Sequence, residues 1–321
     1  MKLDLKDLKI LSLLDQNARL SVIQIAKKLR LNKDVVRYRI SNLEKDKIIN
    51  GYYTIINTNK IGYTAFRIYL DFININDEIE KRIINSLDQE IGAGQIFSLE
   101  GEYQLGAIFW EKSIYDLEKK IQLFKKNFGD YINKLDLSIF TKINHYFKKN
   151  LPVYSKKIIS LKNENIVKLD DTDFKILHTL SKNSRISFVE MSSKLNIPER
   201  TIAFRVRQLE KKEIILAYRA DINVNKLGYE NYFIGIYTGS KQNLAQIETF
   251  ANLNKNCIYS DYILSGADIE LETEFKNKKE LLEFINSLKK KFIFIKKIKY
   301  WSTLEYLKLN YLPEIFGAAR I

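Results

Sequence analysis

Two segments of the chain carry, at helical spacing, the kinds of side chain that bind DNA. Arginine, asparagine and glutamine can each make two hydrogen bonds to one base edge, whereas lysine and serine suit phosphate oxygens. In both segments most of these residues fall on or beside the face opposite an apolar stripe. The predicted DNA contacts are Lys33, Arg37, Tyr38, Arg39, Ser41, Asn42 and Lys45 in the first segment and Arg200, Phe204, Arg205, Arg207, Gln208 and Lys211 in the second.

Two of these arginines allow a second interpretation. Arg39 and Arg205 lie beside the apolar stripe and not opposite it. Each could form an ion pair with an aspartate of an earlier helix, such as Asp7 or Asp173, or contact a phosphate while its stem packs on the core. The sequence leaves both interpretations open.

The rest of the chain lacks the residue patterns of common catalytic and metal sites. Cys257 is the single cysteine, which excludes an intrachain disulfide framework and a multi-cysteine zinc site. His145 and His178 are the two histidines and argue against a histidine-built metal site. The sequence contains neither a GxxxxGK[ST] loop nor a GxGxxG loop. We therefore expect no enzymatic activity, no cofactor and no metal.

The charge of the chain favours a polyanionic partner. The 321 residues include 53 Lys and Arg against 39 Asp and Glu, a formal net charge of +14. Double-stranded DNA is the first candidate and an anionic membrane surface the second. No stretch approaches the roughly 20 apolar residues of a membrane span. Two aspartates stand where a signal peptide would need an apolar run. We expect a cytoplasmic protein without a membrane partner.

The elements that must position these residues occur twice. Residues 3–63 match residues 169–229 without a gap, with 25 of 61 positions identical. Apolar spacing and capping residues predict three helices at the front of each copy, in the order of a helix-turn-helix. The back of each copy reads β-α-β-β-α-β, the ferredoxin-like pattern. One face of such a sheet lacks helices, so we expect it to pack on a like sheet, either within the chain as a pseudo-dimer or in a homo-oligomer.

The predicted fold class is α+β, with two copies of a winged or three-helix helix-turn-helix domain followed by a ferredoxin-like βαββαβ regulatory domain. The predicted boundaries are 1–62 and 63–152 for the first copy, 153–168 for a linker, 169–228 and 229–313 for the second copy, and 314–321 for a C-terminal tail.

Several segments resemble the Lrp/AsnC (feast/famine) transcription regulators. LDLKDLKILSLLDQNARLS, QIAKKLRLNKDVVRYRISNLEKDKIINGY and NTNKIGY look like the N-terminal half of that family. EGEYQL at 100–105 and SGADIEL at 265–271 stand in the place of its Gly-x-Tyr-Asp hairpin. The resemblance implies a sequence-specific DNA-binding regulator whose regulatory domains pair through their sheets and often sense amino acids. This chain departs from the family pattern in having two units.

The hairpins are the predicted place for an amino acid or another small metabolite. Glycine there lets the backbone approach a ligand, although the same glycines can simply form hairpin turns. The predicted effector residues are Gly101, Glu102, Gln104, Gly266 and Asp268.

Two other function classes remain open. Siroheme decarboxylases share this two-part fold, and they resemble one another through an arginine-rich turn and a His-Asn-Tyr hairpin motif. The turns here read IINGYY and IILAYR, and the hairpins read LEGEYQ and LSGADI. The second alternative is an adaptor that has kept the fold and lost DNA binding.

Overall fold

The structure is a computed structural model that describes residues 3–162 and 165–312. Residues 163–164 of the predicted linker, Pro313 and the predicted C-terminal tail at 314–321 lie outside the described residues. Within the described ranges, no helix is long and apolar enough to cross a membrane.

The first copy follows the predicted order of three helices and a βαββαβ unit, with an additional strand on either side of that unit. Its elements are α1 Leu5–Gln16, α2 Val22–Leu29, α3 Lys33–Lys45, β1 Ile49–Ile56, β2 Thr64–Phe72, α4 Asp77–Gln89, β3 Gln95–Glu100, β4 Leu105–Glu111, α5 Ile114–Phe128, β5 Ile132–Tyr146 and β6 Ile158–Lys162.

The second copy repeats this order up to its last ferredoxin-like strand. Its elements are α6 Asp171–Lys182, α7 Phe188–Leu195, α8 Glu199–Lys211, β7 Ile215–Ile222, β8 Glu230–Tyr237, α9 Leu244–Leu253, β9 Cys257–Leu264, β10 Ile269–Phe275, α10 Lys278–Lys291 and β11 Lys297–Leu309.

Side-chain caps begin the front helices of both copies. The Asp4 carboxylate accepts from the backbone N–H of Asp7, and the Asp7 carboxylate accepts from the N–H of Asp4 at 3.1 Å. The same reciprocal box stands at Asp170, and Ser21 and Ser187 form boxes at α2 and α7. A side-chain cap of this kind contributes about 1 kcal/mol to helix stability.

The ferredoxin-like strands of both copies form one closed ring. In the order β2-β4-β3-β11-β8-β10-β9-β5 each strand is hydrogen-bonded to the next, and β5 also pairs with β2. All of these pairings are antiparallel. The copies meet at two seams, β3 with β11 and β5 with β9. The two sheets are therefore joined edge to edge within the chain, and their helix-free faces enclose the interior of the ring.

The predicted linker at 153–168 contains a strand. Strand β6 lies inside it and pairs with Lys142–Tyr146 of β5. Ile159 and Leu161 on one face of β6 are buried against Ile55 and Phe147. Ile159 and Leu161 alternate with Ser160 and Lys162, which is the spacing of a strand with one buried face. The surrounding lysine and asparagine residues obscure this short signal in the sequence.

The front halves of the two copies are joined by an antiparallel ribbon of β1 and β7. Matched backbone hydrogen bonds join the middle of each strand to the other copy: the Ala18 N–H donates to the Tyr218 carbonyl, and the Ser184 N–H donates to the Tyr52 carbonyl. The side chains of Arg19 and Arg185 repeat this exchange, each donating to backbone carbonyls of the other copy. These reciprocal bonds relate the two helix-turn-helix domains by a local pseudo-twofold axis.

One buried ion pair in this region has no counterpart in the other half. Arg219 of β7 donates to the Asp15 carboxylate of α1, and each of the two side chains is 2% exposed. The other Asp15 oxygen accepts from the Lys148 backbone N–H at 2.8 Å. At the positions that the duplication relates to this pair stand Ser181 and Tyr53. The carboxylate thus connects both copies and the end of the first ferredoxin-like unit.

Asp15→Ala should lower the free energy of unfolding by about 3–5 kcal/mol, because it leaves the Arg219 guanidinium buried without its partner. Urea titrations of the full chain followed by circular dichroism measure this loss. Asp34→Ala is the matched control, since that carboxylate is 63% exposed and its removal should change stability little. If the two variants lost the same free energy of unfolding, the buried pair would not stabilise the contact between the copies.

Candidate nucleic-acid interface

The third helix of each helix-turn-helix is fixed by an apolar face and leaves the opposite face to solvent. In α3 the buried residues are Val36, Ile40 and Leu43, and in α8 they are Ile202, Val206 and Leu209. This i, i+4, i+7 spacing covers one stripe of a helix. The Asn32 side chain caps α3 by accepting from the Asp34 N–H at 2.8 Å.

Most of the predicted DNA contacts lie on the exposed faces of these helices. Tyr38 is 68% exposed and Phe204 is 57% exposed, which is unusual for aromatic side chains. Lys33, Arg37, Ser41, Lys45, Arg200, Arg207 and Lys211 are also exposed, whereas Asn42 and Gln208 are half-buried at the edge of the face.

The structure forms the ion pairs that were one interpretation of Arg39 and Arg205. The Arg39 guanidinium lies 2.9 Å from the Asp4 carboxylate and 2.7 Å from the Asp7 carboxylate. The Arg205 guanidinium lies 2.7 Å from Asp170, and Asp173 is the second carboxylate within reach. Both arginines thus hold the third helix against the first. A phosphate contact by the same side chains stays a prediction.

The two exposed faces differ most at their N-terminal ends. In α3 the Arg37 guanidinium lies 2.8 Å from the Asp34 carboxylate, and both side chains are exposed. In α8 the position related to Asp34 is Arg200, and the one related to Arg37 is Ala203. The duplicated helices therefore present different charge patterns at equivalent places.

Arg30 lies in the turn between α2 and α3 and is not among the DNA contacts predicted from the sequence. The residue is exposed and adopts a left-handed conformation with φ of 54°. Asn196 takes the same conformation in the second copy, also with φ of 54°. Arg30 is exposed and lies in the turn directly before α3. It is therefore a further candidate for a phosphate contact.

The five predicted effector residues already have structural roles. The Glu102 carboxylate lies 2.6 Å from the Lys134 ammonium and also pairs with Lys299. The Gln104 side-chain oxygen accepts from the Phe72 N–H at 3.0 Å. The Asp268 carboxylate accepts from the Thr238 N–H at 2.7 Å, which is the same contact in the second copy. Effector binding at the hairpins stays a prediction.

The two hairpin glycines are not equivalent positions. The Leu99 N–H donates to the Gln104 carbonyl, and the Ile263 N–H donates to the Asp268 carbonyl. When the two hairpins are aligned by these bonds, the residue of the second copy that corresponds to Gly101 is Ser265 and not Gly266. The φ angles are positive at all three, 131°, 81° and 90° respectively. The glycines therefore suit turn geometry, which is the simpler of the two interpretations.

Comparisons with known proteins agree with the doubled front domain. A family model described as winged helix-turn-helix DNA-binding matches residues 3–50 and again 169–215. An uncharacterized HTH-type transcriptional regulator of Pyrococcus furiosus is 32% identical over 125 residues, which are 38% of this chain and 82% of that protein. The HTH-type transcriptional regulator LrpA of Pyrococcus horikoshii is 29% identical over 115 residues, 36% of this chain and 80% of its own length.

A solved structure matches the whole architecture. The crystal structure of the siroheme decarboxylase NirDL covers 97% of this chain and 96% of its own, with a TM-score of 0.61 and 12% sequence identity. A likeness at this identity shows that both proteins share the fold and carries no activity from one to the other.

The double variant Arg37→Ala with Arg207→Ala should weaken binding to double-stranded DNA about tenfold or more, because each exposed guanidinium offers a base or phosphate contact. Fluorescence anisotropy with a labelled duplex measures the affinity at several salt concentrations. Arg82→Ala with Lys126→Ala removes the same charge from exposed positions of α4 and α5 and serves as the control. An unchanged affinity in the first variant would reject the assignment of α3 and α8 as reading helices.

Proposed function

The chain belongs to the Lrp/AsnC family of transcription regulators, and on that premise we propose that one chain reads double-stranded DNA with α3 and α8 together. The observation that carries this proposal is the set of reciprocal bonds around β1 and β7, which relates the two exposed helix faces by a pseudo-twofold axis within the chain. Paired reading helices related by such an axis are the arrangement by which helix-turn-helix dimers bind two half-sites.

Charge supports the same proposal. The chain carries a net charge of +14, and the exposed basic residues of α3 and α8 lie where phosphates would approach. Neutralising phosphates releases counterions, so we expect the affinity to fall steeply as salt rises. The exposed aromatic rings of Tyr38 and Phe204 add apolar surface that can contact thymine methyl groups.

The enzymatic alternative is less well supported by the interior of the ring. The carboxylates of siroheme would need cations, but the cavity there has Asp261, Glu272 and Glu274 in its wall. The cations of the same wall are Arg67, Lys148 and Arg219, and they already pair with Glu270, Glu274 and Asp15. His145 also lines it, and burial, followed by the nearby Arg219 charge, lowers the pKa of this imidazole well below its ordinary value. A neutral imidazole cannot neutralise a carboxylate. We therefore infer that the chain acts by binding and not by catalysis; mixing it with siroheme and recording the absorption spectrum tests this directly.

The preferred operator should be asymmetric, because the two reading helices of one chain differ at equivalent positions. Asp34 in α3 corresponds to Arg200 in α8, and Ser41 corresponds to Arg207. Identical helices in a homodimer would instead select palindromic half-sites. Selection of binding sites from a random DNA pool gives the consensus; a strictly palindromic result would mean that two chains pair α3 with α3 and would rule out reading by one chain.

A further inference from the structure

A cavity of about 610 Å³ lies inside the ring formed by the two sheets. Strands of both copies line it, including Arg67 of β2, Asp261 of β9 and Glu272 of β10, and the ribbon contributes Tyr53 and Arg219. This volume is far larger than a metal ion needs and falls within the range of small-molecule sites. The five hairpin residues predicted as an effector site do not line it.

The inner face of this ring has diverged between the copies. In β10, Ile269, Leu271 and Phe275 pack into the core with the helices, so that Glu270, Glu272 and Glu274 point the other way. The equivalent inward residues of β4 follow from the hairpin register, which aligns Leu105 with Ile269. They are Gly106, Ile108 and Trp110. Strand β4 thus has an apolar inner face, whereas β10 carries a carboxylate at each of these inward positions.

These carboxylates are only partly neutralised by the protein. Glu270 pairs with Arg67, and Glu274 pairs with Lys148. Asp261 lies 3.5 Å from the same Arg67 guanidinium. Glu272 accepts from the Asn231 amide at 2.8 Å and from the Tyr306 hydroxyl at 3.0 Å, and no cation pairs with it within the described residues. The wall therefore holds more acidic than basic partners.

The pKa values of Asp261 and Glu272 are raised, because these carboxyl groups are buried without a full set of cations. Burial raises the pKa of Asp261 to about 8, with Arg67 opposing the rise and the negative charges of Glu270 and Glu272 adding to it. Burial is also the main cause of the raised pKa of Glu272. An additional positive charge in the cavity would favour the ionised form of both carboxyl groups.

Polar atoms of the wall without a partner mark where a ligand could bind. Within the described residues, the second oxygen of Asp261, the Thr303 hydroxyl and the Nδ1 atom of His145 are buried and lack a hydrogen-bond partner. Aromatic side chains complete the wall at Phe140, Phe233, Tyr259, Tyr306 and Tyr311. Carboxylates beside aromatic rings are the combination that attracts an organic cation.

We propose that this cavity binds a small organic amine, whose ammonium group pairs with Glu272 and Asp261 while its carbon frame packs on the tyrosine and phenylalanine rings. The occupant would be the cation that the acidic inner face of β10 lacks. This inference does not depend on DNA binding, so it can fail or succeed separately from the proposed function.

Isothermal titration calorimetry with the purified full chain tests the proposal. The probes are tyramine, benzylamine and butane-1,4-diamine, and the counter-probe is 4-hydroxyphenylacetate, which keeps the ring of tyramine and replaces its ammonium group with a carboxylate. We expect saturable binding of at least one amine with one site per chain, and no binding of the carboxylate. Failure of all three amines to bind, or equal binding of the carboxylate, would overturn the proposal.

Glu272→Gln locates the site. We expect it to weaken amine binding about tenfold or more, because the ammonium group loses a buried anionic partner. The variant should fold, since it removes a buried charge that has no cation of its own within the described residues. Glu283→Gln, on the exposed face of α10, should bind as the unaltered chain does. If circular dichroism shows that Glu272→Gln is unfolded, Asp261→Asn replaces it; undiminished affinity in the folded variant would overturn the site.

Discussion

The structure depends on one constraint: a ferredoxin-like sheet that stands alone has unpaired strand edges and one face without helices, and both must be covered. An exposed strand edge offers free N–H and C=O groups to other chains, and a bare apolar face costs free energy in water. Both are covered here by the second copy: β3 pairs with β11, β5 pairs with β9, and the ring closes through β2. The duplication therefore supplies both covers within one chain.

Closure of the ring allows the two copies to diverge. Two identical chains must carry the same residue at both related positions, whereas a duplicated chain can change one of them. The buried pair of Asp15 and Arg219 exists once, and the inner strand is acidic at Glu270 and its neighbours but apolar in β4. The reading helices differ in the same way at Asp34 and Arg200. Asymmetry in the front domains and in the interior therefore has a common physical origin.

Periodicity and repetition in the sequence were sufficient to predict the helix-turn-helix, the βαββαβ order and the exposed faces of α3 and α8. The features that the sequence did not predict depend on contacts between residues that are far apart in the chain. Strand β6 is recognised only by its pairing with β5, and Gly101 and Gly266 looked equivalent because the second copy is two residues shorter before its hairpin. The alternating glutamates in IELETEF are typical of a strand with one solvated face, but in the structure they lie inside the ring and are buried.

The central claim is that one chain reads DNA with two different helices as one unit. Hydroxyl-radical footprinting on a selected binding site tests it most directly, with the unaltered chain and with Arg37→Ala and Arg207→Ala taken singly. The account predicts two protected patches about one helical turn apart, with each variant losing protection in a different patch. Loss of both patches together in one variant, with no effect of the other, would contradict reading by both helices of a single chain.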